Sequence, residues 1–507
     1  MTPDANTYRS PQPSIRNGSE RASSSWDLRN APRNYISLVV YQAASAIFSF
    51  GSVWLIARFL GGEGYGGLVA IIAASQVAQV FVNWTSTAVV RFGVDEFIES
   101  QRIARAFWVR LFVLAINFVI VAAAARLWFP PLASWLKLPD ETFWLVIGHF
   151  AVTVVWIHVQ MSLQAAKMPR KQGFLMMVER ALIFAGLLML ITAGRFEFSS
   201  VAIFYILAPA AMVLAGVLLI KDLIFSRFSI DGAFWRKIIA YSVPLLPFSL
   251  VGYLSGAYID AIFVSYYLST YDLGIYSVAT QISGIVLQLP TLASTLLLPL
   301  FVTLQSENDI KKSSSYFRDV LPTMTLLWGI VCATLACFAY FVVPFIFGAE
   351  FESATRALWI LLMGASIALP ALLGYFPLAN ARSETYILMV GATGAALMNF
   401  GANILLIPRY GLAGCALATA LSYLANVIIA SVFLRRTAGL AFSWTLAAIL
   451  PALICGLIPF FSQAWWHPLL VYSTLATFIS IANRRSMGRG INFLYTLAAG
   501  KRYYTNN

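Results

Sequence analysis

The chain of 507 residues is 60% hydrophobic and 11% charged, with 34 Lys and Arg against 21 Asp and Glu and a formal charge of +13. Water-soluble chains carry about 25% charged residues, so this composition excludes a soluble globular protein. It also excludes a nucleic-acid-binding module, which would need a basic, hydrated face. The mean hydropathy of +0.78 points to lipid as the solvent, where about 20 apolar residues span the roughly 30 Å hydrocarbon core as a helix. The apolar runs are continuous rather than alternating, which selects helices over a barrel.

Residues 1–33 are polar, Ser-rich and basic and lack the apolar core of a cleaved signal, so a disordered cytoplasmic tail is expected there. Apolar windows follow near 34–57, 66–90, 107–128, 142–164, 173–194, 199–220, 238–266, 274–303, 320–347, 355–378, 385–407, 411–434, 444–461 and 466–482. The expected fold is all-α, with about fourteen transmembrane helices. It divides into a six-helix half at 34–220, a linker at 221–237, a second six-helix half at 238–434, two extra helices within 444–482 and a tail at 483–507. With the N-terminus inside, the inner segments collect 27 basic residues. The outer loops collect six: Arg58, Arg126, Lys137, Arg195, Arg356 and Arg409. That asymmetry places both termini in the cytoplasm, and the inner charge is expected to sit against anionic headgroups.

Between the first two windows lies "FLGGEGYGGLVA" (59–70), with the Gly-x-Gly-x-x-Gly spacing of a dinucleotide loop. That loop needs a strand before it and a helix N-terminus after it. Here it follows a long apolar helix on the outer side, so it is read as a turn. Arg58 complements the negative end of the first helix, Gly61 or Gly62 closes it in the left-handed conformation, and Glu63 suits the start of the next. A shift of 208 residues lays this stretch on "YLSTYDLGIYSV" and pairs Leu60 with Leu268 and Gly66 with Gly274. The two halves therefore read as a distant repeat, a common transporter architecture.

Polar residues recur at helical spacing inside several windows. Gln42, Ser45, Ser49 and Ser52 do so in the first, Gln76, Gln79, Asn83 and Thr87 in the second, and Gln281, Gln288, Thr291 and Thr295 in the eighth. Such stripes either wall a cavity that binds sugar hydroxyls or bond helices to one another. Arg91 ends the second window at the expected inner mouth, where it either meets a substrate diphosphate or serves as an ordinary positive-inside flank, the reading favoured here. Glu179 and Arg180 lie near the inner end of the fifth window and, as sequence neighbours, project about 100° apart; they are either coupling candidates or, the reading favoured here, residues that snorkel to the inner interface. Asp260 is the one acid far from either end of its span, and so either couples transport to a proton or cation or makes a structural hydrogen bond to a neighbouring helix. His149 and His158, nine residues apart, do not form a metal pair and are read as packing. Cys332, Cys337, Cys415 and Cys455 have no metal or redox spacing. No metal site and no cofactor are expected.

"IARFLGGEGYG" (56–66) and "YIDAIFVSYYLSTYDLGIYSVA" (258–279) resemble segments of the polysaccharide-export, O-antigen (Wzx-type) flippases of the multidrug/oligosaccharidyl-lipid/polysaccharide (MOP) superfamily. So do "FGAEFESATRALWILL" (347–362) and "IPRYGLAGCALATALSYLAN" (407–426), in order over about 34–435. The resemblance implies a MATE-like arrangement of two six-helix halves in a V. It also implies an inner-membrane flippase for an undecaprenyl-diphosphate-linked oligosaccharide used in O-antigen, capsule or exopolysaccharide assembly. The implied partners are that lipid-linked substrate, membrane lipids and downstream polymerase and export machinery. One departure is Ala261, where many relatives carry a basic residue after the aspartate. A multidrug or organic-cation antiporter is the alternative, although that activity favours acids in the cavity. A glycan polymerase or ligase would need a sizeable outer loop with catalytic Arg or His. No enzyme activity is expected.

Overall fold

A computed structural model describes residues 19–225, 232–246, 251, 257–306, 310–440, 442–462 and 464–498. Among them every regular element is helical, and ten helices are long and apolar enough to cross a membrane. Lipid offers the backbone no hydrogen bonds, so each apolar run closes its own ladder as a helix.

In chain order the N-terminal half contains α1 (Ser19–Asn83), α2 (Ser86–Ser100), α3 (Ala104–Ala123), α4 (Ala125–Leu136), α5 (Phe143–Ala165), α6 (Pro169–Thr192) and α7 (Phe198–Ile224). After α8 (Gly232–Ser242) come α9 (Ala257–Tyr267), α10 (Thr270–Ser306) and α11 (Ile310–Ser315). A π-helical turn at Tyr316–Val320 leads into α12 (Leu321–Phe347), followed by α13 (Ala354–Pro370), α14 (Phe376–Ala381) and α15 (Thr385–Ala438). The chain closes with α16 (Ser443–Ala448), α17 (Leu450–Leu457), α18 (His467–Ala482) and α19 (Arg484–Ala498).

The first two sequence windows are the two legs of α1. They meet at Gly61, whose φ of 69° and ψ of −175° break the helix. Windows eleven and twelve are likewise the legs of α15, broken at Gly411 (φ 58°) just after Pro408. Proline removes a backbone donor and glycine accepts a positive φ, so Pro408 and Gly411 make a local stop signal. Prolines at the first turns of α6, α12, α17 and α18 cost no intrahelical bond. Pro244 falls in a short 3-10 turn, whereas Pro290 and Pro299 lie inside continuous α10. Pro247, read from sequence as a bend, lies outside the described residues.

Two terminal regions differ from the sequence reading. From Ser19 the chain is already helical, where a disordered tail is expected, while residues 1–18 lie outside the described residues. Extending an existing helix adds one hydrogen bond per residue without a new nucleation cost. At the other end, part of the expected tail is α19. It docks on the π-helical turn through Arg489, whose Nε and Nη2 each donate to the Asp319 carboxylate at 2.9 Å. Gly490 lies against the Asp319 carbonyl, where a Cβ would come within 2.5 Å.

Candidate functional site

Among the described residues, the most extensive helix–helix contact joins α1 to α10 across the two halves. It closes through glycines. A Cβ on Gly66 would stand 1.8 Å from the Thr270 carbonyl oxygen, and one on Gly274 would stand 1.9 Å from the Gly62 carbonyl oxygen. Gly66 and Gly274, the pair aligned by the 208-residue shift, thus lie at the same backbone-to-backbone contact. The glycine cluster thus has two duties. Gly61 turns the chain, Gly66 lets the backbone of α10 approach with no side chain between, and Gly62 leaves room for the Tyr271 ring.

Beyond this contact the halves separate around a cavity of about 710 Å³. Its walls come from α1, α6, α7, α9 and α10. Gln42, Ser45, Ser49 and Ser52 line it from the first leg of α1, and Ser277, Thr280, Gln281 and Gln288 from α10. Tyr65, Tyr205, Tyr258 and Tyr276 ring the end nearest the glycine contact, while Gln172 belongs to the first turn of α6. Arg180 is the single charged residue of the lining, and no carboxylate is present there among the described residues. Neutral amides and hydroxyls can bond to many hydroxyl groups without fixing a charge, and a lone guanidinium can take an oxyanion.

The other sequence candidates fall elsewhere. The second-window stripe does not line the cavity. Gln79 is buried with both amide atoms unpartnered, and Asn83 Oδ1 accepts a bond of 2.9 Å from Arg110 Nη2. Gln76 is only partly exposed and is also absent from the lining. Arg91 makes an exposed pair with Asp95 at 2.6 Å, one turn along α2, rather than guarding the cavity. The helix breaks after Asn83 at a turn that redirects α2, which carries Arg91 out of register with the cavity-facing residues. Thr291 donates to its own helix at the Leu287 carbonyl, and the Thr295 side chain lies outside the described residues. Glu179 and Arg180 diverge as their spacing requires: Glu179 is buried and accepts from Trp156 Nε1 at 2.8 Å, while Arg180 faces the cavity.

At the outer turn, Arg58 and Gly61 meet the segment after α12. Arg58 Nη1 would lie 3.2 Å from a Cβ on Gly348, and Glu350 Oε1 lies 3.3 Å from where a Cβ on Gly61 would be. Trp54 Nε1 donates to the Ile346 carbonyl at 2.9 Å across the same contact. Glu63 is exposed.

Asp260 on α9 is buried within the second half. Asn403 Nδ2 donates to its Oδ1 at 2.8 Å, and Thr419 Oγ1 and Tyr276 Oη donate to Oδ2 at 2.9 and 3.3 Å. Asn399 Oδ1 accepts from Asn403 Nδ2 at 3.0 Å. Tyr276 joins this network to the cavity, because it belongs to both. The network partners were not singled out from sequence, although Asn399 and Asn403, one turn apart in an apolar run, carried a signal. His149 bonds Ser75 Oγ at 2.6 Å, and His158 packs against Phe107 with ring centroids 4.5 Å apart and planes tilted by 41°.

Cysteines introduced at Gln42 and Gln288 should react readily with a small water-soluble thiol reagent, and one at Gln79 should be protected. The four native cysteines are all buried, which keeps the background low. Equal labelling at Gln79 and Gln288 would contradict this assignment of the cavity walls.

A search against known proteins gives a consistent answer. The chain is 22% identical over 211 residues to the "Probable low-salt glycan biosynthesis flippase Agl15" of Haloferax volcanii, an alignment covering 41% of this chain and 44% of that protein. The chain thus matches less than half the length of that curated relative. The solved structure titled "Lipid II flippase MurJ, inward closed conformation" superposes with a TM-score of 0.66 at 16% identity, over 89% of this chain and 99% of that one. An inward-facing multidrug resistance MATE family transporter of the MOP superfamily superposes with a TM-score of 0.61 at 14% identity, over 81% and 99%. These two likenesses establish the fold of a multi-pass membrane protein. Residues 55–356, which include the turn in α1, the glycine contact, Asp260 and the cavity walls other than the first leg of α1, match the family described as "Polysaccharide biosynthesis protein", and the chain belongs to that family.

Proposed function

We propose that this protein is a flippase that moves an undecaprenyl-diphosphate-linked oligosaccharide from the inner to the outer leaflet of the bacterial inner membrane. The observation that carries this reading is the cavity between the halves, with its amide and hydroxyl walls and the single guanidinium of Arg180. The walls suit a glycan, and Arg180 suits a phosphate oxygen. The relatives support the reading by their names, since one is called a glycan biosynthesis flippase and another a lipid II flippase. An antiporter for organic cations is disfavoured because no acid lines the cavity among the described residues.

In this reading both termini are cytoplasmic, and the cavity end formed by Gln42, Gln172 and Gln288 faces the cytoplasm. The glycine contact shuts the outer end. An apolar groove lined by Leu289, Pro290, Met324, Trp328 and Leu373 lies on the other side of α10 and would shelter the polyprenyl chain while the head group crosses. Asp260 serves as the coupling residue by binding a proton or cation, with Tyr276 relaying its state to the cavity wall. Lipid-linked product would then pass to polymerase and export machinery on the outer face.

Deleting the gene should cause one lipid-linked oligosaccharide to accumulate in the inner leaflet, and its mass would identify the glycan. A lipid-linked pool unchanged in amount and sidedness would count against flipping.

A further inference from the structure

The cavity between the halves has a feature that its amides, hydroxyls and lone guanidinium do not explain. Among the described residues, every aromatic side chain of the lining is a tyrosine, Tyr65, Tyr205, Tyr258 or Tyr276, in a chain with 37 Phe and 14 Trp against 22 Tyr. Tyr276 is 2% exposed with its hydroxyl bonded to Asp260, and Tyr65 is 5% exposed, so these two are wall. Tyr205 and Tyr258 are partly exposed and offer surface to an occupant. Tyr205 stands on α7 of the first half and Tyr258 on α9 of the second. Neither pairs with another ring among the described residues, whereas Tyr316 and Tyr375 pack on Phe301 and Phe442. The Arg180 guanidinium is within electrostatic reach of both phenols.

A pyranose has two kinds of surface. Its rim of hydroxyls bonds to neutral amides and hydroxyls such as Gln281 and Thr280 of the lining. Its two faces are C–H bonds, apolar and faintly positive. An aromatic ring is apolar and negative over its face, so it matches a sugar face, and tyrosine adds a polar edge for the rim. A diphosphate presents only oxyanions, which call for Arg180 and have no use for ring faces.

We infer that Tyr205 and Tyr258 form an aromatic subsite for the first sugar after the diphosphate, one ring from each half, and that the cavity thereby selects the loaded carrier lipid over the bare one. The inference rests on the reading of this cavity as the path of a lipid-linked glycan. Arg180 belongs to the first half, so a bare diphosphate is held by charge from that half alone. The sugar beside it reaches the second half through Tyr258, and only the loaded lipid draws on both.

Equilibrium binding to the purified full-length protein tests this with two probes, undecaprenyl diphosphate and undecaprenyl diphosphate carrying one glucose, whose C–H bonds cover both ring faces. The glucosylated lipid should bind about tenfold more tightly, which is the worth of one or two aromatic contacts. Tyr205→Leu and Tyr258→Leu should each weaken the glucosylated lipid about five- to tenfold and leave the bare lipid as it was. Tyr205→Phe and Tyr258→Phe keep the ring and should keep most of the preference. Equal binding of the two probes by the unmodified protein overturns the subsite. Losses in the phenylalanine variants equal to those in the leucine variants also overturn it, because the hydroxyls then do the binding. A leucine variant that weakens both probes alike does so too, since that is a packing defect. Arg180→Gln keeps the two readings apart, because it should weaken both probes. If it weakens neither, the diphosphate does not enter this cavity and the subsite falls with that reading. If it weakens both while the unmodified protein ignores the glucose, the subsite alone falls.

Discussion

Replacing Gly274 with alanine should abolish export and leave little folded protein in the membrane. The new Cβ would lie 1.9 Å from the Gly62 carbonyl oxygen, 2.7 Å from its carbonyl carbon and 3.0 Å from the Gly66 nitrogen, all backbone atoms that cannot swing aside. Relief requires α1 and α10 to separate, which opens the most extensive helix–helix contact among the described residues. Overpacking of this kind costs on the order of 3 kcal/mol. Gly284, ten residues on in the same helix, is the control. A Cβ there meets nothing within 4 Å, so Gly284→Ala should be neutral or stabilise by about 0.5–1 kcal/mol through helix propensity. Membrane yield and unfolding midpoint of the two variants provide the check. Similar behaviour in both would mean that the two halves do not meet through backbone at Gly274.

Asp260→Asn should fold normally yet lower export by about tenfold or more, equivalent to ~1.4 kcal/mol in the barrier. Asn403, Thr419 and Tyr276 direct three donors at the two carboxylate oxygens. The amide keeps one acceptor, and the hydroxyls of Thr419 and Tyr276 can rotate to accept from its NH2 group, so packing and bonding survive. What disappears is the capacity to titrate or to hold a cation. The remaining export should therefore lose its dependence on pH and on the coupling ion. A buried carboxylate kept only for structure would behave otherwise: export at the normal rate with an unchanged pH profile assigns Asp260 to packing.

Much of the fold was legible because lipid enforces a simple rule. Continuous apolar runs must become helices, and Gly61 and Gly411 mark where two such runs join. The four stretches that resemble the polysaccharide-export family also pair in space. Residues 56–66 meet 347–352 and 270–274, while Asp260 in the second stretch reaches Thr419 in the fourth. Sequence order gave no hint of that pairing.

The site was less legible. Helical periodicity tells which residues share a face, not what the face meets. Gln42 and Gln288 turned out to face the cavity, whereas Gln79, with the same spacing and chemistry, is buried outside its lining and Asn83 meets Arg110 on α3. Arg110 was missed because it lies only a few residues inside its span and counts naturally with the inner basic flank. Only the packing of α1, α3 and α5 shows it to be fully buried. The docked helix α19 was missed for a related reason: its three arginines read as tail charge, and the partner Asp319 is 170 positions away in the chain.

Reconstitution tests the central claim most directly. Vesicles containing the purified protein and a fluorescent polyprenyl-diphosphate oligosaccharide on one leaflet would be followed for appearance of the glycan on the other, using an impermeant quencher or lectin. The account predicts protein-dependent transfer that falls sharply in Arg180→Gln, whose side chain still fits the cavity wall but no longer carries charge. Transfer no faster than in protein-free vesicles, or equal in the Arg180→Gln variant, would contradict passage of the diphosphate through this cavity.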